Sequence, residues 1–367
     1  MRVVVTGGGT GGHVYPALSV AEALMRSEGE SCSFLYIGAE GGMEAGLVRP
    51  TGVPFQTVKV GALRGKAPHQ FLAGLGRLSW GLVQSWRSLG RFRPQVILAT
   101  GGYVCVPVVL AGWLRRIPSV VYLPDVEPGW AVRFISRFAR RIAVTSCRSE
   151  AFLPKGKVVE TGYPVRAAFF SVDKATARDS LSLEAELRTL LVLGGSSGAH
   201  SINVALEKAL PSLLEVCQVI HVAGAADEAR FEEVRGRLPE GLRQRYRLFG
   251  YLHNLPEAMA AADLAVCRAG ASVMGELPAA ALPSVLVPYP YAGAHQRHNA
   301  EALQEAGAAT ALDNSELDKL LPVVRCLLEN EAQLGKLAEN ARLLAKPRAA
   351  ESIAELVRQV GRCGSTS

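Results

Sequence analysis

An α/β protein of two doubly wound domains, each on a parallel sheet, is what this sequence predicts. Three observations carry the prediction. The chain has 367 residues, which at roughly 100–200 residues per domain divides into two units, each able to bury its own core. Short β-branched runs alternate along it with longer amphipathic stretches, the pattern of successive βαβ units. A glycine-rich turn also occurs twice, GGGTGGH at 7–13 and GGSSGAH at 194–200, each after a hydrophobic strand and before an amphipathic helix. That repeat implies two Rossmann-like domains. Composition agrees, since 49% hydrophobic and 20% charged residues exclude a disordered chain.

Strands are expected in the first half at 2–6, 33–37, 95–99, 119–123 and 141–145, with helices at 16–27, 70–90, 104–115 and 129–139. The second half restarts the scheme with strands at 189–193, 217–223, 246–249, 263–267 and 284–288. Its helices are expected at 201–214, 227–236, 255–261, 272–281 and 297–306, before a helical tail from about 315 to 360. The segment ETGYPVR at 160–166 reads as a hinge with the main ligand cleft between the domains. The expected domains are 1–163 and 164–344. A last helix from about 345 to 367 is expected to pack back on the first.

Net charge is +7, but residues 1–163 hold 19 Lys and Arg against 9 Asp and Glu, while 164–367 hold 21 against 24. Between 64 and 141 there are 12 basic residues against Asp125 and Glu127 alone. Such a block predicts an anionic partner: nucleic acid, an acidic lipid surface or a phosphorylated substrate. Seven cysteines without CxxC spacing read as free thiols in a reducing compartment. The start, MRVVVTGGGTGG, has no charged n-region followed by an apolar h-region. No stretch reaches the ~18 uninterrupted apolar residues of a spanning helix; the best, 103–114, contains Pro107. A soluble or peripheral protein is expected.

Gly7, Gly9 and Gly12 give GxGxxG after the first strand, which lets backbone N–H groups at a helix start approach an anion. A dinucleotide site would want an acid ~20 residues on, at the end of the second strand; Glu40 is a poor match. A second loop, GGY at 101–103, points to the same sheet edge, so the three glycine loops suggest two phosphate-bearing ligands. His13 is either a packing or capping residue or a general base kept neutral by the positive helix end; His200, in the equivalent place, reads as tuning the turn. The stretch 268–301 places Glu276 on a helix after RAGAS and Gln296 and Asn299 after the next strand. A carboxylate there can take both ribose hydroxyls, and the amides can read sugar hydroxyls. Asp125-Val126-Glu127 resembles an acidic metal motif, but two glycine-loop helix ends can hold a diphosphate without a cation, so no metal is expected. Residues 71–94 combine Phe71, Leu72, Leu75, Trp80, Leu82, Val83 and Trp86 with Arg77, Arg87, Arg91 and Arg93. That mixture suits a crossover helix packed on its sheet and also anionic head groups.

At GGGTGGHVYPALSVAEAL (7–24), TGGYVCVP (100–107), LGGSSGAHSIN (193–203) and GASVMGELPAAALPSVLVPYPYA (270–292) the chain resembles the MurG family, over essentially its whole length. Members are peripheral N-acetylglucosaminyltransferases of peptidoglycan synthesis, with two Rossmann-like domains facing across a cleft (the GT-B fold). The resemblance implies transfer of N-acetylglucosamine from UDP-N-acetylglucosamine, a substrate and not a cofactor, to the muramyl carbon-4 hydroxyl of lipid I, giving lipid II. It implies an undecaprenyl-diphosphate-linked acceptor, an anionic membrane on the cytoplasmic side, and no nucleic acid, for which no motif is present. By position it puts Thr10, Gly11, Gly12, Arg166, Ser196, Leu252, Glu276, Gln296 and Asn299 at the donor. Gly9, Gly101, Gly102 and Tyr103 fall at the acceptor, and His13 is the base candidate.

Two departures stand out. Where the family carries His-Glu-x-Asn before Pro-Gly, this chain has Tyr122, Leu123, Pro124 and Asp125 before Pro128-Gly129, and Tyr163 replaces the linker Asn. Asp125 thereby becomes a second base candidate. The chemistry implied is inverting displacement, with a base taking the acceptor proton while the 194–200 loop and Arg166 meet charge developing on UDP. Rival readings are a related transferase with another lipid acceptor, a UDP-sugar epimerase, or a non-catalytic nucleotide-sugar-binding protein.

Overall fold

The computed structural model describes residues 1–61, 68–195, 198–290 and 295–363, with the side chains of 30, 68–73 and 75 outside that description. Two compact units result: Met1–Val165 together with Arg348–Ser367, and Arg166–Pro347.

The first unit is built on β1 (Arg2–Thr6), β2 (Ser33–Ala39), β3 (Phe55–Val58), β4 (Val96–Ala99), β5 (Ser119–Leu123), β6 (Arg141–Val144) and β7 (Val158–Glu160). They run in the order β3-β2-β1-β4-β5-β6-β7 with every adjacent pair parallel. Its helices are α1 (Gly11–Glu28), α2 (Glu44–Val48), α3 (Pro68–Phe92), α4 (Cys105–Leu114) and α5 (Trp130–Ile135). Each residue of β4 and β5 is buried, as strands covered by helices on both faces must be, which explains their unbroken apolar sequence.

The second unit holds α6 (Ala168–Ser171), α7 (Lys174–Ser180), β8 (Thr189–Leu193), α8 (His200–Leu214), β9 (Gln218–Val222), α9 (Glu228–Arg237), α10 (Glu240–Arg243) and β10 (Tyr246–Phe249). There follow α11 (Leu255–Ala261), β11 (Leu264–Cys267), α12 (Val273–Ala279), β12 (Ser284–Leu286), α13 (His295–Glu305), β13 (Ala309–Ala311), α14 (Leu320–Glu329) and α15 (Glu331–Leu344). Its parallel sheet runs β10-β9-β8-β11-β12-β13.

From the far end of the chain α16 (Ala349–Cys363) returns to the first unit and packs on α1, β4 and β5. Ile353, Leu356, Val357 and Val360 form its buried face. Glu28 on α1 lies 3.6 Å from Arg358 and 3.5 Å from Arg362.

The expected elements recur with differences of physical origin. β3, β7 and β13 were not expected, because each is an edge strand of only three or four residues, too short to show a period of two. α1 begins at Gly11 instead of 16, with extended Thr10 as its N-cap, and runs through Pro16. α5 stops at Ile135, short of 139. The single tail divides at Asn330, whose side chain accepts from the Gln333 N–H at 3.0 Å to start α15, and again before α16. No described helix is long and apolar enough to cross a membrane.

Candidate active site

In each sheet strand order reverses at one place, between β1 and β4 in the first unit and between β8 and β11 in the second. Ligands of doubly wound sheets bind outside the carboxyl ends of the strands at such a switch point. The glycine loops lie at these positions: 7–10 after β1 and 100–104 after β4, then 194–199 after β8 and 268–272 after β11.

In the first unit the two loops are locked together. Gly8 N–H donates to Gly101 O at 3.1 Å, and Thr100 N–H to Thr6 O at 2.9 Å. The Thr100 hydroxyl, which sequence reasoning missed, donates to His13 O at 2.7 Å. Gly102 has φ +87°, and a Cβ there would come within 2.4 Å of Gly8 O. Gly9 has φ +86°, while Gly11 and Gly12 open α1.

His13 lies over Gly101, where a Cβ would approach its Nε2 to 2.7 Å. Its Nδ1 is 3.0 Å from Gly8 O and 3.2 Å from the Thr10 hydroxyl. A carbonyl only accepts, so the proton of the neutral ring belongs on Nδ1 and the lone pair on Nε2. Burial pulls the His13 pKa below its ordinary value, with the Asp125 carboxylate and the Gly8 carbonyl opposing in part. The fold thus brings Asp125, 112 positions away in sequence, into the electrostatic field of His13.

Tyr122 is wholly buried. Its hydroxyl is 2.9 Å from Thr145 Oγ1 and donates to Gly162 O at 3.3 Å, and its ring centroid lies 6.4 Å from that of Tyr163. Tyr122 and Tyr163, the two tyrosines singled out in the sequence, therefore pack against each other. Glu127 pairs with Arg133 at 3.4 Å. Among the described residues no group of three or more His, Cys, Asp or Glu is arranged to hold a metal.

Tyr103 begins a run of aromatic rings. It lies 6.4 Å from Trp130, which stacks on Phe134 at 5.6 Å; Phe134 and then Trp113 meet Phe138 edge-on. Trp80, Trp86, Trp113 and Trp130 are all exposed, Trp113 by 54%. The Arg115 guanidinium sits 4.0 Å from the centre of the Trp86 ring. Phe71, Leu72 and Leu75 have side chains outside the described residues.

In the second unit a Cβ at Gly198, φ +75°, would come within 2.5 Å of Ala223 O. Ser196 lies outside the described residues. His200 Nδ1 is 3.1 Å from both Asp227 oxygens. Asn203, one turn on, donates from Nδ2 to Ala223 O and to Asp227, each at 2.8 Å. Glu276 stands in the first turn of α12; burial raises its pKa, opposed by a Ser272 hydrogen bond and the positive charge of Arg166. Arg166 itself is exposed, 5.4 Å from the Phe169 ring centre. Gln296 accepts from the Tyr289 N–H at 2.9 Å through Oε1. Asn299 is fully buried and donates to Ala269 O at 3.0 Å, so that amide hydrogen holds the 268–272 loop. Leu252 follows β10 and is part-exposed. Sequence reasoning also passed over Arg268, buried at the end of β11.

The family model described as Glycosyltransferase family 28 N-terminal domain matches residues 3–144, and the corresponding C-terminal domain matches 189–356. A Roseiflexus sp. (strain RS-1) protein named UDP-N-acetylglucosamine--N-acetylmuramyl-(pentapeptide) pyrophosphoryl-undecaprenol N-acetylglucosamine transferase is 41% identical, over 97% of this chain and 94% of its own length. A Desulforudis audaxviator protein of the same name is 38% identical over the full length of both. The crystal structure of Acinetobacter baumannii MurG superposes with TM-score 0.78 at 26% identity, covering 98% of this chain and 99% of that one. The UDP-GlcNAc 2-epimerase of Neisseria meningitidis bound to UDP-GlcNAc shares the fold alone, with TM-score 0.69 and 15% identity over 98% of this chain and 100% of that chain. On these matches the chain belongs to glycosyltransferase family 28, and within it to the MurG family.

Proposed function

We propose that this protein transfers N-acetylglucosamine from UDP-N-acetylglucosamine to the muramyl carbon-4 hydroxyl of an undecaprenyl-diphosphate-linked muramyl peptide, releasing UDP. The observation that carries the reading is full-length identity of 38–41% to transferases so named. The paired glycine loops at both switch points agree with it. The reaction is an inverting displacement: the acceptor oxygen attacks the anomeric carbon, its proton goes to a base, and the bond to the UDP oxygen breaks.

His13 is the base this reading favours. Its Nδ1 is tied to Gly8 O, its lowered pKa keeps it unprotonated near neutrality, and the imidazolium formed on proton transfer gains from the Asp125 charge. Such a base contributes about 10²–10⁴-fold. Asp125 is the alternative base. On the donor side Glu276 faces the ribose, with Gln296 and Asn299 toward the sugar. The 194–200 loop, Ser196 in it, the positive end of α8 and Arg166 meet the charge that grows on the diphosphate, and Leu252 lies by the uracil. Gly9, Gly101, Gly102 and Tyr103 hold the acceptor, with Thr10, Gly11 and Gly12 where acceptor diphosphate and donor sugar meet.

The exposed tryptophans and surrounding arginines suit a peripheral position on an anionic bilayer, where indole rings sit at head-group level and each basic residue adds about 1 kcal/mol. The test is UDP release on incubation with UDP-N-acetylglucosamine and a lipid I analogue. Release with that pair supports the reading; release only with a different lipid acceptor replaces it with the first rival.

A further inference from the structure

Against the first glycine loop lies a carboxylate that the reaction above leaves unused. Glu44, the first residue of α2, is wholly buried, whereas Glu40, the acid directly after β2, is exposed. Its Oε1 accepts from the N–H of Ala39, the last residue of β2, at 2.5 Å. Three glycines make its room. A Cβ at Gly8 would lie 2.6 Å from Oε1 and 3.0 Å from Oε2, one at Gly42 within 2.5 Å of both oxygens, and one at Gly38 2.7 Å from Cγ. The carboxylate is thus wedged between the end of β2, the turn after it and the loop that leads to His13.

Keeping it there works against stability, because Oε2 is buried with no hydrogen-bond partner among the described residues and a desolvated carboxylate oxygen left unpaired is unfavourable. Packing alone would be served as well by an apolar side chain of the same shape. What the carboxylate touches gives it another use. The Gly8 N–H donates to Gly101 O at 3.1 Å, and Gly8 O accepts from His13 Nδ1 at 3.0 Å. The Tyr36 hydroxyl donates to Gly7 O at 2.9 Å and the Cys105 thiol to Gly101 O at 3.0 Å. Burial above all, with the Glu44 charge adding to it, pushes both of their pKa values up, so both stay protonated as donors to the loops.

We infer that Glu44 is a positioning residue for the transfer: anchored at Ala39, it fixes the Gly8 peptide and through it the direction of His13 Nε2. This rests on His13 being the base. Since Glu44 aims a ring of the first unit and the donor residues belong to the second, its loss should appear in kcat and not in KM for UDP-N-acetylglucosamine.

Kinetics of UDP release with a lipid I analogue, run in the parent and in a His13→Ala background at high enzyme concentration, test it. Glu44→Ala empties the wedge and should lower kcat about 10- to 100-fold, with KM for the donor within about twofold. Added to His13→Ala it should cost less than about twofold more, since no ring is left to aim. Glu44→Gln keeps the volume and the acceptor for the Ala39 N–H, and should recover kcat to within about fivefold of the parent. Glu44→Asp withdraws the carboxylate by one methylene and should fall between the two. Undiminished kcat in Glu44→Ala, a raised donor KM at constant kcat, a full further loss in the His13→Ala background, or no recovery with Glu44→Gln each overturns the inference. Should Glu44→Ala fail to fold, Glu44→Asp decides through the same comparison. A silent His13→Ala refutes the base assignment itself, and the role of Glu44 falls with it.

Discussion

Replacing Gly102 by Ala tests whether the interlocked loops of the first unit set the geometry of the reacting centre. Gly102 has φ +87°, and a Cβ would lie 2.4 Å from Gly8 O and 3.0 Å from Gly8 C. Both are backbone atoms, held by the Gly8–Gly101 hydrogen bond at 3.1 Å and by the contact of Gly8 O with His13 Nδ1 at 3.0 Å. Normal carbon–oxygen contacts begin near 3.3 Å, so one loop must retreat by roughly 1 Å. The left-handed backbone alone costs an alanine about 1–2 kcal/mol; the overlap adds about 1–3 kcal/mol. Gly52→Ala isolates the first term, having φ +76° but nothing within 4 Å of the new Cβ.

Thermal melts should therefore place Gly102→Ala below Gly52→Ala by about 2–4 °C for each kcal/mol of overlap strain. Turnover should separate the pair more sharply. His13 moves with the Gly8 carbonyl, and a 1 Å misplacement can cost about 10²-fold, while Gly52→Ala should retain nearly full UDP release. Identical melting and turnover in the two variants would refute the claim that the loop lock positions His13.

Four further outcomes are expected. His13→Ala should lower turnover about 10²–10⁴-fold with UDP binding intact. Since Asp125 raises the His13 pKa against burial, Asp125→Asn should move the acid limb of the pH–rate profile lower; a limb that stays put, or abolished turnover with His13→Ala silent, would make Asp125 the base. Asp263→Asn should cost roughly 3 kcal/mol of second-unit stability, the low end for a broken buried pair, because of its three cations only Arg178 is largely buried. Burial pushes the Asp263 pKa up, but its hydrogen bonds and cations bring the net value below the ordinary 3.8, so that stability is present above pH ~4 and lost as pH falls through the lower folded value; acid-titrated melts check the window. Finally, Trp86→Ala with Trp113→Ala should reduce sedimentation with anionic vesicles at low salt while leaving the melting temperature within a few degrees.

Much of the fold was legible because its central strands advertise themselves. Residues 2–6, 119–123 and 189–193 are strands with the expected bounds, since burial between helix layers leaves little room for polar interruption; the edge strand 246–249 also keeps its expected bounds. The edge strands FQTV, VVE and ATA carry no such imprint. The glycine loops were equally visible, as spacing between glycines is local. What the sequence hid is tertiary: that Asp125 comes near His13, that Asn299 turns inward to Ala269, and that Glu44 lies against Gly8. No local pattern encodes which distant side chain will support a loop.

The return of α16 to the first unit has a consequence for biosynthesis. The ribosome delivers residues 1–165 well before residues 349–363, roughly 200 residues or about 10–40 s earlier at ~5–20 residues per second. During that interval the surface of α1, β4 and β5 that α16 covers stays wet and apolar. The second unit, Arg166–Pro347, is contiguous and can finish first, so the half of the protein made earliest completes its fold last. A nascent chain stalled before residue 349 would carry a folded second unit and an uncapped first one, open to chaperones and proteases.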